Sequence, residues 1–355
     1  MNEIDSIQPA LAPSTISTPE PPTLRRFFLG DDGLRAGWSF LLFIILLIVV
    51  SVLFNFTVSH FHLLPKRPAN LANLPMTAKR TTLMDGFEFL IVAFVAWLMS
   101  LIERRPWSRY GIVAARSVPD FFTGLFWGFF CLSTLIGLLL ATHSIAFDGL
   151  ALHGSAAAIS GAKWLVGFLC VGLAEEFVTR GYIQYTVARG VSGITRALDP
   201  TNRYSHVWGF WVTAFLFSAL LFMAAHLGNG GETPWGIAQV GMAGGVFAYS
   251  LWRTGSLWWA IGFHCSWDWA QSYFYGTSDS GLAAAGHLLN SHPIGNAMLS
   301  GGSTGPEGSI LCTPIFFLIA AIIYFTLPRR NYPLTPDQSP LPLATEDAPS
   351  ISTPI

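Results

Sequence analysis

Charge is what this chain has least of. Only 11% of its 355 residues are Asp, Glu, Lys or Arg, against about 25% in an average soluble domain. The net charge is −1, which argues against a nucleic-acid partner and against an acidic interaction tail. Cysteine is scarce as well. Cys131, Cys170, Cys265 and Cys312 lie far apart in or beside apolar runs with no CxxC pair. A thiolate zinc site or a disulfide framework is therefore not expected, and the four read as small apolar side chains. HExxH is missing. No 20–50-residue repeat and no inverted symmetry of the transporter kind is visible. The first residues lack the basic-then-apolar pattern of a cleavable signal peptide.

Apolar runs fill the space that charge leaves. A helix needs about 20 apolar residues to cross the hydrocarbon core. Candidates fall at 37–58, 84–102, 121–142, 160–185, 208–227, 236–252, 256–275 and 310–327. The expected fold is all-α: a polytopic transmembrane helical bundle of about eight spans with a polar catalytic cavity between helices. The sixth run is the weakest, and Gly241, Gly244 and Gly245 inside it suit close helix packing. The Pro-, Ser- and Thr-rich stretches 1–34 and 331–355 cannot bury an apolar face and are expected to be disordered tails. Residues 35–330 then form the membrane domain, with its motif core at 160–275.

Most loop arginines, among them Arg104, Arg105, Arg189, Arg196, Arg203 and Arg253, fall on one side of this layout. The positive-inside rule then places both termini in the cytoplasm of a multi-pass cell-membrane protein, with the site toward the cytoplasmic leaflet. The loop with Lys66, Arg67, Lys79 and Arg80 runs against that bias.

Within the fourth run stands AEEFVTR, residues 174–180. Each ionisable group at the bilayer centre costs roughly 2.5–3.5 kcal/mol on insertion scales. Glu176 and Arg180 are four apart, so they share a helix face and can pair. Glu175 points about 100° away from Glu176, free to face a cavity. The fifth run ends in FMAAH, with Phe222 and His226 on one face, and the seventh holds HCSWD, with His264 and Asp268 on one face. Polar groups in lipid must find each other or water. One wet cavity lined by Glu175, Glu176, His226, His264 and Asp268 satisfies them together.

A carboxylate beside a histidine can hold and deprotonate a water, and a second histidine can donate to a developing oxyanion. Amide or ester hydrolysis fits. The same side chains also suit a divalent metal such as zinc, with Glu175, His226 and His264 as its ligands. No cofactor is required by the pattern. Two other classes use buried Glu and His: a transporter or proton relay, and a non-catalytic membrane scaffold. Asp85 and Glu88 read as polar groups at a helix mouth, His287 and His292 as solvated loop residues, and Trp252, Trp258 and Trp259 as interfacial belt residues. Asn229 falls close to His226.

EEFVTR resembles the EExxxR motif of the CAAX-protease and bacteriocin-processing family, also called the Abi or type II CAAX prenyl endopeptidase family. FMAAH is similar to its FxxxH motif and HCSWD to its HxxxN/D motif, in the same order. RTGSLWWAIGFHCSWDW (253–269) and, more weakly, GGSTGPEGSI resemble bacterial members. The resemblance implies an intramembrane endopeptidase of eight helices. In it Glu175 and His226 activate water, His264 and Asp268 stand at the oxyanion side, and Glu176 and Arg180 orient the site beside Phe222. Eukaryotic relatives have Asn in place of Asp268, and an ionised Asp cannot donate to an oxyanion. The implied partners are the lipid bilayer and a membrane protein or peptide substrate, which the residues do not narrow to a prenylated protein, a bacteriocin leader or another peptide. No nucleic acid is implied, and the oligomeric state is not legible.

Overall fold

The computed structural model describes residues 23–30, 33–62 and 75–329. The expected tails lie largely outside these. Each of the eight apolar runs coincides with a helix. In order these are α2 (Ala36–His60), α3 (Ala78–Ile102), α4 (Ser117–Ala141), a helix from α5 (Gly154–Glu176) through α6 (Gln184–Leu198), a helix from α7 (Ser205–Thr213) through α8 (Phe222–His226), α9 (Pro234–Thr254), α10 (Trp258–Asp268) and α12 (Cys312–Thr326). The first five are long and apolar enough to cross a membrane. The rest is short: α1 (Thr23–Phe28), which leads into a two-residue hairpin of β1 (Leu29–Gly30) and β2 (Gly33–Leu34), and α11 (Ala297–Ser300).

The helices pack through small residues. On α4, a Cβ at Gly124 would sit 2.2 Å from the Trp259 carbonyl oxygen, so α4 and α10 touch almost backbone to backbone. Trp259 is fully buried between them. The belt position expected for it is therefore wrong: close packing of α4 on α10 leaves it no path to the interface. A core of Leu132, Leu135, Leu139, Phe263, Ile319 and Ile323 fills the space between α4, α10 and α12. A second core around Phe43, Tyr182 and Phe210 ties α2 to the long helices. All four cysteines are free thiols, and only Cys170 is partly exposed.

Two sets of loop contacts mark the ends of the bundle. At one end Arg189 donates to the Leu34 carbonyl, Tyr182 donates to Glu103 at 2.6 Å, and Arg253 donates to the Leu327 carbonyl at 3.1 Å. At the other, β3 (Ile145–Leu150) pairs antiparallel with β4 (Leu289–Pro293), Ala146 opposite His292. Met76 bridges to Ala284 there, and Ser303 donates to the Gly231 carbonyl at 2.7 Å. The stretch before α12 is thus an ordered cover. His287, expected to be solvated, is half-buried, with contacts from Nδ1 to the Ala284 carbonyl at 2.9 Å and from Nε2 to Asn290 at 3.1 Å. His292 is exposed and pairs with Asp148 at 2.8 Å.

Candidate active site

All three polar motifs sit where an α-helix changes pitch. A π-helical segment, Phe177–Ile183, follows Glu176; another, Ala214–Leu221, precedes Phe222; a third, Trp269–Phe274, follows Asp268. Such insertions redirect side chains and occur frequently at functional sites.

Glu176 and Arg180 are both fully buried. Arg180 Nη1 donates to Glu176 Oε1 at 2.5 Å, and Nη2 donates to the Ser218 carbonyl at 3.2 Å. The guanidinium also lies over the Phe222 and Phe247 rings, 4.6 and 5.3 Å from their centroids. Pairing, ring faces and a backbone acceptor together compensate a cation taken out of water. Glu176 Oε1 is in turn 3.1 Å from His264 Nδ1. A carboxylate only accepts, so Nδ1 carries the proton of that bond. His264 Nε2 then points to Glu175 Oε2 at 3.7 Å and Asp268 Oδ2 at 3.4 Å. Phe247 stacks on the imidazole at 5.5 Å between centroids. The ring is clamped on one edge and on its face, and its second nitrogen faces the Glu175 and Asp268 carboxylates.

Glu175 is partly exposed, and its Oε2 has no hydrogen-bond partner. It lines a cavity of about 720 Å³ together with His226, His264 and Asp268. His226 Nδ1 lies 2.9 Å from the Phe222 carbonyl oxygen. That contact is a hydrogen bond only if Nδ1 is the donor, which leaves Nε2 an acceptor in the neutral ring. The Phe222 ring lies 4.8 Å from His226 and 6.4 Å from His264, so it spaces the two imidazoles. The structure therefore joins Glu175, Glu176, Arg180, His264 and Asp268 in one contact network and sets His226 on the wall of the same cavity.

Of Glu175, His226 and His264, the residues expected to hold a metal if one binds, only Glu175 and His264 approach each other. Among the described residues no three His, Cys, Asp or Glu side chains converge closely enough to hold an ion. The donor set as placed does not form a metal site.

Other cavity residues were read otherwise or missed. Asp85 and Glu88 are wall residues of α3 within electrostatic reach of Glu175. Asn229 also lines the wall and donates to the Ser280 carbonyl at 3.0 Å. Gln239, Asp279 and Glu307 complete it. A lone amide inside the glycine-rich sixth run was the available signal for Gln239. Glu307 lies in the GGSTGPEGSI segment, and Asp279 carries no signal of its own. The cavity reaches Met76, Gly228, Gly230 and Ser280, which belong to the β3–β4 end of the bundle. It does not lie toward the end that holds Leu34 and Leu327, where the charge bias placed it. That bias concerns loops and not where helices splay apart.

Residues 157–270 match the family described as type II CAAX prenyl endopeptidase, Rce1-like. No curated protein and no solved structure matches the chain. The match spans α5 to the start of the last π-helical segment and contains all three motifs. The chain is a membrane protein, and the segment that carries its three motifs is similar to the Rce1-like family.

Proposed function

We propose that this protein is an intramembrane endopeptidase that hydrolyses a peptide bond with water activated by Glu175. The observation that carries the reading is the unpartnered Glu175 Oε2, on a cavity wall 3.7 Å from a clamped imidazole. The family supports a protease. Glu175 takes a proton from water as the water oxygen bonds to the peptide carbonyl carbon. His226 Nε2, an acceptor, holds the second hydrogen of that water. His264, protonated on both nitrogens among the Glu175, Glu176 and Asp268 carboxylates, donates its Nε2–H to the oxygen that becomes negative. The proton on Glu175 then passes to the leaving nitrogen as the C–N bond breaks.

Glu176 and Arg180 act through His264: they hold the charged ring and fix its plane. Asp268 sits 3.4 Å from His264 Nε2, where it competes with the oxyanion for the same N–H until substrate displaces it. In this reading both termini are cytoplasmic and the cavity mouth faces away from the cytoplasm, since the basic loops lie at the opposite end.

The test compares wild type and Glu175→Gln, expressed at matched levels in native membranes, with new protein termini mapped by mass spectrometry. Gln keeps the shape and removes the base. Termini found only with wild type are expected. Equal termini from both proteins, each folded, would remove Glu175 from the chemistry and favour transport or scaffolding.

A further inference from the structure

The cavity holds a second set of acceptors that the hydrolysis does not use. Asp279 and Glu307 line it from the loops of the β3–β4 end, and Gln239 lines it from α9. Gln239 is only 1% exposed. Its Nε2 donates to the Ser309 carbonyl at 3.2 Å and to Thr313 Oγ1 at 2.9 Å. A carbonyl only accepts, so this bond fixes which side of the amide carries Oε1. That oxygen is buried and meets no hydrogen-bond donor. A buried acceptor left unpaired is costly, so its persistence on a cavity wall points to a donor arriving from the cavity.

Two carboxyls line the same cavity. Glu307 accepts from the Ser280 N–H through Oε1, and Asp279 accepts from Ser272 Oγ at 2.9 Å through Oδ2. Asp279 has a second oxygen to offer, and Glu307 also lies within hydrogen-bond reach of the Gln271 side chain. Among the described residues no Lys or Arg pairs with either. Burial, together with the nearby Asp268 and Glu307 carboxyls, pushes Asp279 well above the usual carboxylate range. Burial likewise pushes Glu307 up. A cation would relieve both. Asp268 lies within electrostatic reach of Glu175 on one side and of Glu307 on the other, so this acceptor set adjoins the reacting groups.

We infer that this end of the cavity is a subsite for a positively charged group of the peptide substrate, held by Asp279, Glu307 and Gln239 Oε1. An ammonium has three donors and no acceptor, so it can bond both carboxyls and Gln239 Oε1 at once. Arginine serves equally, with five donors. The inference rests on the endopeptidase reading and narrows its substrates to peptides with a lysine, an arginine or a terminal ammonium close to the scissile bond.

The experiment uses the full chain in lipid nanodiscs. Pools of N-acetylated apolar peptides carry one lysine at a fixed position with randomised neighbours. Matched pools carry norleucine there, and a third arm is the norleucine pool with free N-termini. Cleavage is read by mass spectrometry against the Glu175→Gln background. Lysine peptides are expected to be cut at least about tenfold faster than norleucine peptides, the scale of one charge-assisted hydrogen bond. In Asp279→Asn and Glu307→Gln, which keep the Ser272 and Ser280 bonds, the lysine-to-norleucine ratio should fall toward one. Preference for free over acetylated norleucine peptides would support the subsite with a terminal ammonium as its occupant. Equal cleavage of all pools by wild type overturns the subsite and leaves the protease reading standing. A lysine preference that survives both substitutions overturns the assignment to these carboxylates. No cleavage above background overturns the protease reading and the subsite with it.

Discussion

At the residue scale the decisive feature is an ion pair with no solvent. Glu176 and Arg180 are both fully buried, and such a pair is weak evidence for stability because its desolvation offsets its attraction. Its use lies in His264, whose Nδ1 the same Glu176 oxygen holds at 3.1 Å. Breaking one partner leaves the other charge uncompensated, at about 3–5 kcal/mol. Arg180→Met is therefore expected to lower apparent melting sharply in detergent. Glu176→Gln combined with Arg180→Met removes both charges and keeps an acceptor for Nδ1, so much of the lost stability should return. Thermal unfolding followed by size-exclusion chromatography reads both. An Arg180→Met protein that melts like wild type would show that the pair is dispensable to the fold.

At the element scale, helices cross where side chains are smallest. A Cβ at Gly244 would stand 1.6 Å from the Ser218 carbonyl oxygen and 3.2 Å from Arg180 Nη2, whereas at Gly245 nothing lies within 4 Å. Gly244→Ala must push α9 away from the π-helical segment that precedes Phe222, and overpacking costs about 1–3 kcal/mol. Gly245→Ala meets nothing and gains up to about 1 kcal/mol of helix propensity. Opposite shifts in apparent melting from adjacent positions are expected, with activity lost only at 244. A common response would disprove the close approach. The small residues of this run were legible in the sequence, as were the eight apolar runs and the three motifs, because hydropathy and four-residue spacing are local signals. The π-helical segments were not legible, since a change of pitch leaves no trace in composition. Nor were Gln239 and Asp279, whose relation to the site depends on which loops fold over which helices. Trp259 was misread for the same reason: its burial is set by Gly124 on another helix.

At the scale of the whole molecule, the loops sort themselves by contact. Residues near 76, 145–150, 229–233 and 280–304 touch one another, while at the other end Arg189 contacts Leu34 and Glu103, and Arg253 contacts Leu327. Eight helices running alternately from end to end sort the loops in the same way, including α9, α10 and α12, which are shorter or less apolar than the first five. In the proposed orientation the arginine-bearing end faces the cytoplasm and the cavity opens on the far side. Single cysteines test this. Leu198 is 82% exposed at the end of α6, and Asp148 is well exposed on β3. The native thiols are buried or half-buried, so their background labelling is low. In intact cells an impermeant maleimide is expected to label Asp148→Cys at once and Leu198→Cys only after the membrane is opened. The reverse pattern would turn the molecule over. The cavity would then draw its peptides from the cytoplasm, and Lys66, Arg67, Lys79 and Arg80 would be the cytoplasmic charges that outweigh the arginines at the other end.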